Sequence, residues 1–232
     1  MRIDDVKTYY RNNSVELGWG ADVARLDPER VALLGRHVIG PKVLDVGCGS
    51  GIYTDYLAAK GYDAWGLDLV EEFVEKAQQQ KKGTYILSQS DKLPFADGEF
   101  DTVLLFDILE HVDDTALMRE AGRVASKRIL INVPTKVDRA LEERGIVYGH
   151  YVDKSHIREY TSESVLNLGR DCGLNLLLQE GVNPINWLEV FRITFSGNSF
   201  VKKLIKTLVK ASMKSRYSPA GIFAVFEHRT RG

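Results

Sequence analysis

The stretch "KVLDVGCGSGIYTDYL", Lys42 to Leu57, carries the decisive pattern of the chain. A short apolar run leads into glycines at alternate positions, Gly47, Gly49 and Gly51, and the sequence then turns to helical spacing. A strand that ends in a glycine turn and feeds a helix offers bare backbone N–H groups, and the positive end of the helix, to a ligand. Glycine admits positive φ there and lets a ligand approach the backbone closely. A phosphate loop is excluded, because no Gly-Lys-Ser/Thr follows. The dinucleotide fingerprint Gly-x-Gly-x-x-Gly fails in both registers: begun at Gly47 it meets Ile52, and begun at Gly49 it meets Thr54. A tight turn that binds nothing is the remaining local alternative.

Two carboxylates sharpen the choice. Asp45 stands two residues before the first glycine, where it would oppose a pyrophosphate but suits a ligand that carries an ammonium group and a sulfonium. Asp68 closes the next apolar run, about 20 residues on, where an acidic side chain can accept both hydroxyls of a ribose. Taken singly, Asp45 reads as a helix-turn cap and Asp68 as a solvated strand end. Together with the glycine register they resemble the class I S-adenosylmethionine-dependent methyltransferase family, over about Lys42 to Pro134. The stretch "SDKLPFADGEFDTVLLFDILEHVDD" is similar to the segment by which the small-molecule members are recognised.

The resemblance implies S-adenosylmethionine as cofactor, held by Asp45, Gly47, Cys48, Gly49 and Gly51, by Asp68 and Leu69, and by Phe106 at the end of the fourth strand. Where the family usually has an acidic residue for the adenine amine, this chain has Gln89, followed by Ser90 and Asp91; a glutamine carbonyl can also accept from an amine. His111, beside Glu110 in "LEHVDD", is the first candidate base, with a fixed loop contact as its structural alternative. The ending "HIREYT" resembles the segment that passes the active-site mouth, which adds His150 and His156 as catalytic candidates. No metal is expected: Glu110 and His111 are chain neighbours, and a third ligand would have to come from His150 or His156.

Apolar runs alternate with helical patterns from about Lys42 to Pro134, the signature of repeated βαβ units and a parallel sheet. "FDTVLLFDIL" is apolar almost throughout, as a central strand covered on both faces should be. Asp27-Pro28 predicts a helix start, and Gly61 and Gly173 predict left-handed helix ends. The expected fold is one α/β domain, doubly wound, with a mostly parallel seven-stranded sheet and an antiparallel last strand. Residues 1–40 are expected to form lid or cap helices, with Tyr9, Tyr10, Arg11 and Trp19 over the cofactor and Arg25 near its carboxylate. Residues 41–135 are the cofactor core and 136–232 the substrate side, with a helical insert at about 184–217.

At 232 residues one domain with a large core is expected. A formal net charge of −1 offers no general attraction to nucleic acid. Two isolated cysteines, Cys48 and Cys172, build neither a disulfide framework nor a zinc site, and a reducing cytoplasm is expected. Within the insert, "SFVKKLIKTLVKASMKSR" sets apolar residues at helical spacing against lysines with no acidic residue. Such a helix, 199–217, could touch an anionic membrane or an amphiphilic acceptor, or dock as a lid with its lysines in water. The function implied is methyl transfer, O-methylation first, to a small or lipid-linked or glycosyl acceptor. An NAD-dependent oxidoreductase of similar topology, and a non-catalytic S-adenosylmethionine-binding module at a membrane, are the alternatives.

Overall fold

The computed structural model describes residues 3–13, 25–89, 92–136, 153–186 and 217–228. In chain order the elements are α1 (Ile3–Asn13), α2 (Pro28–His37), β1 (Lys42–Val46), α3 (Ile52–Ala59), β2 (Asp63–Asp68), α4 (Glu71–Gln80) and β3 (Thr84–Leu87). They continue with β4 (Phe100–Phe106), a 3₁₀ turn (Leu109–His111), α5 (Asp114–Val124), β5 (Ala125–Pro134), α6 (Ser162–Asp171), β6 (Leu174–Asn186) and β7 (Tyr217–His228). The strands form one seven-stranded sheet in the order β3-β2-β1-β4-β5-β7-β6. Pairing is parallel from β3 through β5, and β7 runs antiparallel to both of its neighbours. The strand order reverses between β1 and β4, and in open α/β sheets ligands bind in the crevice beyond the carboxyl ends at such a reversal.

Helices cover both faces, which explains why β4 is buried along nearly its whole length. On one side Leu105, Met118, Phe100 and Phe226 belong to one core; on the other Leu33, Leu34, Leu104 and Phe223 belong to a second. Local signals act as expected. Asp27 caps α2 by accepting Arg30 N–H at 2.8 Å, with Pro28 opening the helix, so that Arg30 leaves the first turn. Asp113 caps α5, accepting Ala116 N–H at 3.0 Å. Thr161 and Ser164 form a reciprocal capping box on α6, and Gly61 and Gly173 take positive φ after α3 and α6.

The last two strands run further than their apolar patterns predict. Beyond Val182 and before Gly221 the pair continues through Pro184 opposite Pro219 to Asn186 opposite Tyr217. A proline removes one donor but keeps its carbonyl, a loss tolerated towards the end of a strand pair. Residues 184–186 and 217 are therefore strand, not helical insert; the rest of the lysine-rich stretch, 199–216, and His150 lie outside the described residues.

Candidate functional site

The glycine turn is built from the strand ends. Gly47 and Cys48 both donate their N–H to Leu67 O, at 2.7 and 3.0 Å. Asp68 then binds the loop through its side chain: Oδ2 accepts Gly49 N–H at 2.7 Å and Oδ1 accepts Val70 N–H at 2.9 Å. The three glycines divide the work. At Gly47 (φ 75°) a Cβ would stand 2.6 Å from Ile108 Cδ1, so this glycine lets the end of β4 pack closely. At Gly51 (φ 74°) a Cβ would strike the Tyr85 ring, whose hydroxyl donates to Gly51 O at 3.2 Å. Gly49 (φ 52°) has nothing within 4 Å of its missing Cβ, and lines a cavity of about 470 Å³.

Asp45 also lines this cavity, and Thr54 Oγ1 donates to its Oδ2 at 2.8 Å. Burial pushes the Asp45 carboxyl up to about 6, with Asp68 adding to the rise and the Thr54 hydrogen bond opposing it. Burial also raises Asp68, against the Val70 and Gly49 N–H groups. Asp45 and Asp68, both buried, set two carboxylates beside the uncovered Gly49 backbone at this end of the cavity. Carboxylate acceptors placed there fit an adenosyl ligand with an ammonium, a sulfonium and ribose hydroxyls.

The far wall begins where β4 ends. Phe106 lines the cavity, and Asp107 beyond it adopts φ 52°, a left-handed conformation that costs about 1 kcal/mol or more in a residue with a Cβ. Its neighbours hold it there: Asp107 N–H donates to Asn132 O at 2.9 Å, Asn132 Nδ2 donates to Asp107 Oδ1 at 2.7 Å, and Arg30 Nη2 pairs with Oδ2 at 2.5 Å. The Arg30 guanidinium also lies over the Tyr53 and Phe106 rings, 5.9 and 5.8 Å from their centroids.

The 3₁₀ turn brings Glu110 and His111 to the mouth, and the chain around His156 returns over it. Arg158 anchors that return by donating to Val112 O at 2.7 Å and pairing with Asp114 at 2.8 Å; Tyr160 donates to Asp114 Oδ2 at 3.0 Å. One ligand-type atom from each of Glu110, His111 and His156 lies within 4.8 Å of the others. Glu110 is 1% exposed, and its Oε2 has no hydrogen-bond partner among the described residues. Burial, then Asp107, holds the Glu110 carboxyl well above its ordinary range. Burial and the neighbouring His156 push His111 down to about 4, and burial lowers His156 as well.

Of the residues expected from the sequence, Asp45, Gly47, Cys48, Gly49, Asp68, Leu69, Phe106, His111 and His156 line this cavity together. Gly51 serves packing of α3, and Gln89 is exposed and outside the lining, while Ser90 and Asp91 lie outside the described residues. Of the two third ligands the sequence offered beside Glu110 and His111, His156 is the one that, among the described residues, lies next to them. Arg30, Tyr53, Asp107, Asn132 and Asp153 line the cavity without having been singled out. Asn132 did carry a signal, an amide inside the apolar run "RILINVP".

Residues 44–128 match the family model of the methyltransferase domain. A ubiquinone biosynthesis O-methyltransferase of Methylococcus capsulatus is 39% identical over 99 residues, 39% of this chain and 42% of that protein. One from Azorhizobium caulinodans is 31% identical over 129 residues, 53% of this chain and 51% of that protein. The chain thus spans about half the length of the curated relatives it matches. Among solved structures, an S-adenosylmethionine-dependent methyltransferase from Archaeoglobus fulgidus superposes with a TM-score of 0.67 at 16% identity, covering 94% of this chain and 99% of that one. Magnesium protoporphyrin IX methyltransferase from Synechocystis, with bound S-adenosylhomocysteine, gives 0.64 at 17%, covering 97% and 99%. These solved structures share the fold, and residues 44–128, from β1 to early β5, are the part of the chain that is similar to the methyltransferase-domain family.

Proposed function

We propose that the chain transfers a methyl group from S-adenosylmethionine to an oxygen of a small or amphiphilic acceptor, lipid-linked and glycosyl acceptors included. One observation carries this reading: a single cavity joins Asp45, Gly49 and Asp68 to Tyr53, Phe106, His111 and His156. The curated relatives named O-methyltransferases support the choice of oxygen. When bound, the cofactor supplies an electrophilic methyl group on a cationic sulfur. Asp45 and Asp68 would supply the negative potential and hydrogen-bond acceptors that hold it. Tyr53 and Phe106 would exclude water and orient the acceptor beside it, and alignment of this kind is the main source of rate in such a displacement. His111, uncharged at neutral pH, would take the acceptor hydroxyl proton on a ring nitrogen.

A second reading rests on the Glu110 carboxylate. An imidazole held near pH 4 is a weak base at neutral pH, whereas a buried carboxyl with a bare oxygen beside two neutral imidazoles becomes, once a divalent cation displaces its proton, a donor set for that cation. A cation there would acidify the acceptor hydroxyl directly. Dialysis against a chelator separates the two: unchanged turnover supports the imidazole base, and loss restored by added Zn²⁺ or Mg²⁺ supports the cation.

The central test is calorimetric titration with S-adenosylhomocysteine and NADH, followed by incubation of labelled cofactor with cell extracts and identification of the labelled product. Binding of the first nucleoside and a methoxy product are expected. NADH binding without S-adenosylhomocysteine binding would favour the oxidoreductase, and cofactor binding without product the non-catalytic module. Peripheral contact with an anionic membrane through 199–217 belongs to the same proposal and is read by co-sedimentation with anionic vesicles. Among the described residues no helix is long and apolar enough to cross a membrane.

A further inference from the structure

His111 Nδ1 and Ser155 Oγ stand 3.0 Å apart, while Ser155 Oγ donates to Asp153 Oδ1 at 2.5 Å. A serine hydroxyl has one proton. The Tyr10 hydroxyl, 3.5 Å from Ser155 Oγ, is a far longer rival for that proton; with the proton on the short bond to the Asp153 carboxylate, which has none to give back, Ser155 Oγ accepts from His111. The proton on the ring therefore sits on Nδ1, and Nε2 is left as the acceptor nitrogen. The same assignment denies Ser155 the role of a nucleophile activated by His111, because its proton points the other way.

Asp153 is over-determined in this position. Besides the Ser155 hydroxyl, its Oδ1 accepts Ser155 N–H at 2.9 Å and the Tyr9 hydroxyl at 3.0 Å. Its Oδ2 stands 3.7 Å from His156 Nε2, so one carboxylate addresses both histidines. Helix α1 contributes directly: Lys154 N–H donates to Tyr9 Oη at 3.2 Å, and the Tyr10 ring meets the His111 ring edge-on at 5.5 Å. Ser155 is 7% exposed, so water competes little for these bonds.

We infer that Ser155 and Asp153 are positioning residues that lock His111 in the Nδ1–H tautomer and keep its Nε2 available to the acceptor site. This rests on the reading of His111 as a working residue of a methyltransferase, either as the base or as a donor to a cation, since both uses need an unprotonated ring nitrogen. The arrangement is a serine-bridged counterpart of a carboxylate that orients a histidine directly, and such outer partners are typically worth about 10- to 100-fold in activity.

The tautomer is read without any activity, by two-bond ¹H–¹⁵N correlation spectra of histidine-labelled protein, with the His111 signals identified by their loss in His111→Gln. In the wild-type chain we expect Nδ1 protonated and Nε2 bare. Ser155→Ala should move the ring towards the Nε2–H form and lower kcat about 10- to 100-fold with S-adenosylhomocysteine affinity unchanged; Ser155→Thr, which keeps the hydroxyl, should restore both. A wild-type His111 in the Nε2–H form, or a Ser155→Ala spectrum with the tautomer unmoved, overturns the inference. If the tautomer behaves as expected but no methyl acceptor exists, the methyltransferase reading falls and the positioning assignment stands.

Discussion

Thr54 Oγ1 donates to Asp45 Oδ2 at 2.8 Å, and both residues are buried beneath the glycine turn. Thr54 occupies the place at which the dinucleotide register would require a glycine. The residue that breaks one fingerprint is thus the one that steadies the carboxylate of another. Thr54→Val keeps the shape and removes the donor, leaving a buried carboxylate short of a partner. The expected loss is about 1–3 kcal/mol of unfolding free energy, read from urea midpoints at pH 7.

Asp45 also sets a pH dependence. Its carboxyl is raised to about 6 in the folded chain against an ordinary value of 3.8. The sign follows: folding favours the protonated form, so this group's contribution to stability is full below about pH 4 and is lost as pH rises through about 6. Ligand binding is expected to run the other way, because the ammonium and sulfonium of the cofactor proposed to face Asp45 prefer the ionised carboxylate. Calorimetric affinity for S-adenosylmethionine should hold above about pH 6 and weaken below it, by at most about tenfold per pH unit. A flat profile between pH 5 and pH 7 would separate Asp45 from the cation.

Asp68 holds the glycine loop and is proposed to hold the ribose, and its removal should show both. Asp68→Ala takes away acceptors for the ribose and also releases Gly49 N–H and Val70 N–H, which the side chain now holds. Cofactor affinity should fall by about 1.5–3 kcal/mol for each charge-assisted hydrogen bond lost. Asp68→Asn retains one carbonyl acceptor and should lie between. Unchanged affinity in the alanine variant would place the ribose elsewhere.

What the sequence disclosed about this site follows from chain distance. Asp45, Gly47, Gly49 and Asp68 come from one βαβ unit, so spacing alone brings them together. Glu110, His111 and His156 meet only because the chain after β5 returns across the mouth, joined to it by a bridge between Thr135 and Tyr160. Periodicity carries no such information. Arg30 sat in a well-predicted helix yet looked like any first-turn cation, and only the fold shows it paired with Asp107. The strand extensions at Pro184 and Pro219 were hidden for a different reason: proline argues against a strand interior, and pairing towards the far end of β6 and β7 overrides it.

Gly49 and Gly61 form a matched pair for testing where the cofactor backbone contact lies. Both have positive φ, 52° and 93°, and neither has a heavy atom within 4 Å of an added Cβ. Alanine at either position should cost a similar backbone strain, about 1–2 kcal/mol. Only Gly49 lines the cavity. Gly49→Ala should therefore lose cofactor affinity beyond its loss of stability, while Gly61→Ala binds as the wild-type chain does. Equal affinities in the two variants would remove Gly49 from the cofactor site.

His111→Ala tests the chemistry itself. The ring lies beside Glu110 and His156 and is not among the groups proposed to hold the cofactor, so S-adenosylhomocysteine affinity should be retained. Turnover should fall by about 10²- to 10⁴-fold, the usual contribution of a positioned base. The variant also opens a space against the Tyr10 ring and removes the ring nitrogen 3.0 Å from Ser155 Oγ, so a modest loss of stability is expected. His111→Gln distinguishes the causes: it refills part of the space but supplies no base. If glutamine recovers stability and not turnover, the imidazole does the chemistry; if it recovers both, His111 only packs, and the proton leaves by another route.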